Sequence, residues 1–214
     1  MLIILFLSME FTVPGSFNAT AECAVNAFTD LAQLRLMRLA TVQSSTPLTE
    51  LLHPEPWQAA TQASVCGNGR SRGSGFSAAC FFFARDLHRK LGVPIGAVDS
   101  SWGGTVIETF MSREAYDSCP HTVCNCSNPD FCCKGETGTG LPPKYDGNST
   151  LWNAMLAPFA RLNWAAFVFW QGTSNAYVAS NAREYGCNQR ALISDIRRKF
   201  NAPTLPFLFV QNCE

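Results

Sequence analysis

Charge is scarce in this 214-residue sequence: charged side chains make up 15%, and 16 Lys+Arg cancel 16 Asp+Glu to a net charge of zero. Proteins that bind polyanions concentrate positive charge, so the composition argues against nucleic acid as a partner. Long apolar runs are missing too. None approaches the ~20 residues that a membrane-spanning helix needs. The stretch Leu2 to Leu7 is short and is followed by Glu10. It has neither the basic start nor the small-residue cleavage site of a secretory leader, and it reads as a buried strand. Histidine is limited to three residues, and no internal repeat or low-complexity tract is present. Hydrophobic residues nevertheless reach 47%. That is enough to bury a core, and the length suits one domain.

Cysteine, by contrast, is abundant at ten residues. Such a count is ordinary for a chain folded in an oxidising compartment. Cys119, Cys124, Cys126, Cys132 and Cys133 crowd into a turn-rich segment with Pro120, Asn128, Pro129 and Gly135. A segment of this composition has no apolar period and cannot build its own core, so cross-links would supply its order. The rival reading is a zinc site that uses His121, but the spacing matches no paired C-x2-C arrangement. The pairing of the ten cysteines stays open. Three N-x-S/T sequons, at Asn18, Asn125 and Asn148, agree with a secretory route. Together these signals imply a lysosomal or extracellular glycoprotein. The missing leader implies that the gene product starts upstream of Met1.

Along the chain, apolar runs alternate with helical patterns. Strands are expected at Leu2–Leu7, Arg35–Val42, Ile95–Asp99, Trp164–Trp170 and Pro206–Val210. Helices are expected at Ala21–Leu31, Phe76–Leu91 and Leu151–Leu162, and around Leu192, Ile196 and Phe200. The stretch from Gln43 to Ser74 reads as a long surface loop. Phe76, Cys80, Phe83, Leu87 and Leu91 fall at steps of three and four and should share a buried face. Gly92 and Pro94 should stop that helix. Arg197, Arg198 and Lys199 suit a helix C-terminus better than a binding patch. This alternation predicts an α/β fold, a mainly parallel sheet covered on both faces.

In such sheets, ligands bind at the loops leaving the carboxyl ends of the strands. Two loops qualify: Ser100-Ser-Trp-Gly-Gly-Thr105 and Gln171-Gly-Thr-Ser-Asn-Ala176. Gly103 and Gly104 let a ligand approach a backbone N–H directly. Asn175 and Gln171 offer side-chain amides. Donors converging on one point would stabilise the oxyanion formed when an ester carbonyl is attacked. The plain alternative is that the glycines make turns and Asn175 caps a helix. Trp102 and Trp170 flank the loops and could face a sugar ring; the plain alternative is that both are core residues, which is the favoured reading for Trp170 at a strand end.

The ordered motifs Phe76-Ser-Ala-Ala-Cys-Phe-Phe-Phe-Ala-Arg-Asp-Leu, Leu91-Gly-Val-Pro-Ile-Gly, Asp99-Ser-Ser-Trp-Gly-Gly-Thr, Leu151-Trp-Asn-Ala-Met and Trp170-Gln-Gly-Thr-Ser-Asn-Ala closely resemble the sialate O-acetylesterases, SGNH-type carbohydrate esterases. The resemblance runs from Met9 to about the last strand. It implies a three-layer α/β/α sandwich over residues 1–214 as a single partial domain, with a Cys-rich insertion at about 118–147. It also implies hydrolysis of acetyl esters on sialic acids, without metal or organic cofactor. The family mechanism pairs a Ser nucleophile with a His base. Its oxyanion hole would fall on Gly103 or Gly104 and on Asn175, with Gln171, Trp102 and Thr173 nearby for substrate.

The sequence departs from that pattern in three places. The family nucleophile lies in G-Q-S-N-M-E-F, whereas this chain reads Leu5-Phe-Leu-Ser-Met-Glu-Phe11, placing Leu7 at the serine position and Ser8 one residue late. A one-residue shift at a strand end reverses the face a side chain meets. Thr173 stands where the family has Glu in Q-G-E-S-N, so a carboxylate is lost there. Finally, His53 precedes Pro54 in a loop, His88 is expected on the exposed side of its helix, and His121 sits among cysteines. None follows a strand, and a serine without a base is a poor nucleophile. Gly69-Arg-Ser71-Arg-Gly73 matches G-x-S-x-G but lacks the strand that a nucleophile elbow requires. These residues predict an internal portion of such an esterase with weak or no activity of its own. A non-catalytic glycan-binding module and an incomplete gene product without a stable fold are the alternatives.

Overall fold

A computed structural model of the chain describes residues 1–7, 11–15, 19–53, 55–67, 75–120, 149–176 and 179–210. The strands are β1 (Leu2–Leu7), β2 (Leu34–Arg38), β3 (Gln58–Ala59), β4 (Ile95–Asp99), β5 (Ala166–Phe169) and β6 (Phe207–Phe209). They form one sheet in the order β3-β2-β4-β1-β5-β6. Every pairing is parallel except β2 with β3.

The uninterrupted apolar run of β1 follows from its place at the centre. Side chains alternate across a strand. Leu5 and Leu7 therefore join one core, while Ile4 and Phe6 join the other. Each such side chain contributes roughly 1.5–3 kcal/mol on full burial, so a polar residue within Ile4–Leu7 would be costly on either face.

The helices are α1 (Ala19–Glu22), α2 (Gln62–Cys66), α3 (Ala78–Leu91), α4 (Arg113–Asp117), α5 (Thr173–Ala176) and α6 (Ala179–Lys199). Cys80, Phe81 and Ala84 of α3 cover the Ile4–Phe6 face, and Leu192 and Ile196 of α6 cover the Leu5–Leu7 face. The α/β reading with a mainly parallel sheet is thus what the chain adopts.

Several local expectations change. The buried face of α3 is Ala78, Cys80, Phe81, Ala84 and His88, whereas Phe83 and Leu91 are exposed. The helix begins at a Ser77 cap and stops at Gly92, which takes the left-handed conformation at φ 66°. His88 is buried, not exposed. Its Nδ1 lies 2.7 Å from the Val93 carbonyl and its Nε2 lies 3.2 Å from the Asp30 carbonyl. The turn after α3 and the turn before β2 close over the ring, and that packing is invisible to helical periodicity.

The stretch from Gln43 to Ser74 is not all loop, since β3 and α2 interrupt it. Both are too short to show a period. They hold through a Thr61–Ser64 capping box, burial of Val65, and a Cys23–Cys66 disulfide. Within the expected Ala21–Leu31 helix, the chain forms only the end of α1 and a 3-10 turn at Val25–Phe28. The expected Leu151–Leu162 helix is a π-helix at Trp152–Leu156 followed by a 3-10 turn at Ala157–Phe159, where Pro158 has no N–H to continue an α-helix.

Candidate functional site

At the carboxyl edge of the sheet, two backbone hydrogen bonds set the loops on either side of β1. Ser100 N donates to Phe6 O at 2.9 Å, and Trp170 N donates to Leu7 O at 2.7 Å. The loop after β4 and the loop after β5 therefore leave the sheet beside the end of the central strand. Gly104 at φ 72° and Gly172 at φ 146° turn these loops back, in a backbone region that L side chains rarely adopt.

Between the loops lies a cavity of about 230 Å³, lined by Leu7, Trp102, Gly103, Gly104, Thr105, Phe110, Trp170 and Gln171 through Ser174. The two loops picked out by the sequence thus share one site. Trp102, Gln171 and Thr173 all face it. Leu7, 2% exposed, forms part of the wall at the end of β1. A methyl-bearing side chain there cannot attack a carbonyl.

Asn175 is brought beside the cavity but not onto its wall. It is 1% exposed. Its Oδ1 accepts from Ile107 N at 2.9 Å and from Gln171 Nε2 at 2.7 Å. Its Nδ2 donates to Glu108 Oε1 at 3.0 Å and Oε2 at 2.8 Å. Gln171 Nε2 also donates to Thr105 O at 3.0 Å, while Gln171 Oε1 accepts from Tyr185 Oη at 2.8 Å. Asn175 therefore ties the loops to each other instead of facing the cavity, whereas Gln171, on the cavity wall, is held by Thr105 and by Tyr185 of α6.

Three members of this network, Glu108, Tyr185 and Asn188, escaped the sequence reading. Glu108 is 7% exposed and accepts from Asn188 Nδ2 at 2.8 Å. One signal could have found it: a lone carboxylate within the apolar run Val106-Ile-Glu-Thr-Phe110. Burial, and secondarily the Glu108 charge, raises the Tyr185 phenol well above its ordinary value. Ser100, in the same loop, donates from Oγ to Met155 O at 3.1 Å and so anchors the loop to the π-helix.

The remaining expected residues lie elsewhere. His88 sits near the amino edge of the sheet, beside the entries to β2 and β4. His53 is exposed and does not line the cavity. Ser8, the Gly69–Gly73 pentapeptide, His121 and the sequon residues Asn18, Asn125 and Asn148 fall outside the described residues. So do Cys124, Cys126, Cys132 and Cys133 of the cysteine cluster, although its first member, Cys119, pairs with Cys187 of α6. Among the described residues, no group of three His, Cys, Asp or Glu could hold a metal ion, and no helix is long and apolar enough to cross a membrane.

A family model described as carbohydrate esterase, sialic acid-specific acetylesterase, matches residues 131–213. Curated relatives include the sialate O-acetylesterase of Homo sapiens, 31% identical over 91% of this chain and 34% of that protein. The Mus musculus protein of the same name is 30% identical over 95% of this chain and 41% of its own length. This chain therefore spans between one third and about two fifths of these relatives. Among solved structures, a carbohydrate acetylesterase from Xanthomonas citri superposes with a TM-score of 0.75 at 27% identity, covering 98% of this chain and 40% of that one.

Proposed function

This chain belongs to the sialate O-acetylesterase family, and we propose that its pocket takes an O-acetyl ester of a sialic acid. Hydrolysis by the residues described is weak or absent. The observation that carries this reading is Leu7. It sits at the end of the central strand, in the cavity wall, at the position where the family motif has its serine. The support for substrate comes from the same cavity. Gly103 and Gly104 leave backbone room for a carbonyl, and Trp102 and Trp170 present aromatic surface to a sugar. Oxyanion stabilisation falls to the Gly103–Gly104 backbone first, because Asn175 Nδ2 is engaged by Glu108.

Loss of triad members removes orders of magnitude of rate, although oxyanion donors and binding leave some residual catalysis. Incubating the purified chain with an O-acetylated sialoside tests the proposal. Binding with turnover far below that of a full-length family member is the expected result. Turnover matching the full-length protein would refute it, and Ser8→Ala would then show whether Ser8 attacks.

We place the protein in the secretory pathway, lysosomal or extracellular. The support is the disulfides Cys23–Cys66 and Cys119–Cys187 among the described residues, together with the sequons at Asn18, Asn125 and Asn148.

A further inference from the structure

Glu108 is a carboxylate in a 3-10 turn, 7% exposed, and its oxygens accept from two amides on two other elements. A carboxylate only accepts, whereas an amide has a donor end and an acceptor end. Glu108 therefore dictates which way the Asn175 amide faces. With Nδ2 drawn to Glu108, Oδ1 must point at Ile107 N and Gln171 Nε2. Gln171 is then held against Thr105 O, on the facing loop.

Asn188 Nδ2 also donates to Glu108, so the carboxylate holds amides from both α5 and α6.

We propose that Glu108 is a positioning residue of the pocket: by fixing the Asn175 amide it sets the spacing of the two loops that form the cavity wall. This rests on the reading of that cavity as the ester site. A hydrogen-bonded path from Glu108 to the cavity wall runs through Asn175 to Gln171.

The test compares the isotopically labelled full chain with Glu108→Gln and Val65→Ala. Replacing one carboxylate oxygen by an NH2 group confronts Asn175 Nδ2 with a second donor. Val65 of α2 is buried in the core on the other face of the sheet and lines no part of the cavity, so Val65→Ala controls for simple destabilisation. Glu108→Gln should weaken binding of an O-acetylated sialoside by about tenfold, the worth of a hydrogen bond to a charged group. Val65→Ala should melt lower yet bind as wild type does. Equal losses of affinity in the two variants, or none in Glu108→Gln, would overturn the proposal.

A wild type that binds no sialoside sinks the ester-site reading instead. Positioning is then decided by the backbone amide signals of Gly103 and Gly172, which line the cavity. They should shift in Glu108→Gln and stay fixed in Val65→Ala, and an unshifted pair in Glu108→Gln would end the idea. Where Glu108→Gln does not fold, Glu108→Asp keeps the charge, withdraws it by one methylene and is held to the same two signals.

Discussion

At Leu7 and Tyr185, single side chains decide how the cavity can behave. Leu7 is buried in the wall, packed in the same core as Leu5, Phe167 and Phe169. Leu7→Ser should destabilise the chain by about 3 kcal/mol, in the range of large-to-small core changes. It should not by itself restore turnover, because no histidine among the described residues reaches the cavity. Chemical denaturation and a sialoside assay check both halves of this expectation. Tyr185 donates to Gln171 and is pushed above its ordinary 10.0 by burial first and by Glu108 second. An acid whose folded value is raised contributes stability that is complete below its unfolded value. That stability is lost as pH climbs past it, because only the unfolded chain then releases the proton. Stability should therefore begin to fall near pH 10. Tyr185→Phe should flatten that fall while losing about 1 kcal/mol at neutral pH with the hydroxyl bond. Denaturation series from pH 8 to pH 11 distinguish the two proteins.

At the scale of elements, α6 is the support behind the cavity. It carries Tyr185 and Asn188 toward the network, and a disulfide from Cys187 to Cys119 fastens it beside α4, with a sequence separation of 68. A cross-link spanning that many residues restricts the unfolded chain by about 4 kcal/mol in the loop-entropy description. The Cys119→Ser, Cys187→Ser pair should thus lower the melting temperature and loosen sialoside binding together. Cys23→Ser with Cys66→Ser should lower the melting temperature by a similar amount and spare binding. That bridge anchors α2 at the other core, away from the cavity. Equal effects on binding from both pairs would remove α6 from its supporting role.

At the scale of the whole molecule, what could be read from residues and what could not divide along a physical line. Strand positions were legible wherever both faces of a strand are buried, because Ile95–Val98 and Ile4–Leu7 must then be free of polar side chains. The glycine stop of α3 was legible because a left-handed helix end, φ 66° at Gly92, favours a residue without Cβ. The two site loops were legible because ligand loops leave the carboxyl ends of parallel strands, and because their motifs resemble a known family. Boundaries drifted where short elements depend on partners, as with α2, held by Cys23, and the π-helix, shaped by Pro158 and the Ser100 contact.

The amino-acid sequence by itself determined the α/β class, the family and the pair of loops, since each depends on residue type or local order. Only the tertiary structure decided that His88 is enclosed by two carbonyls and that Asn175 turns its amide to Glu108. Hydrogen-bond direction depends on which partners lie within 3 Å in space. Glu108, Asn175 and Asn188 stand up to 80 residues apart along the chain, a separation no local pattern can bridge.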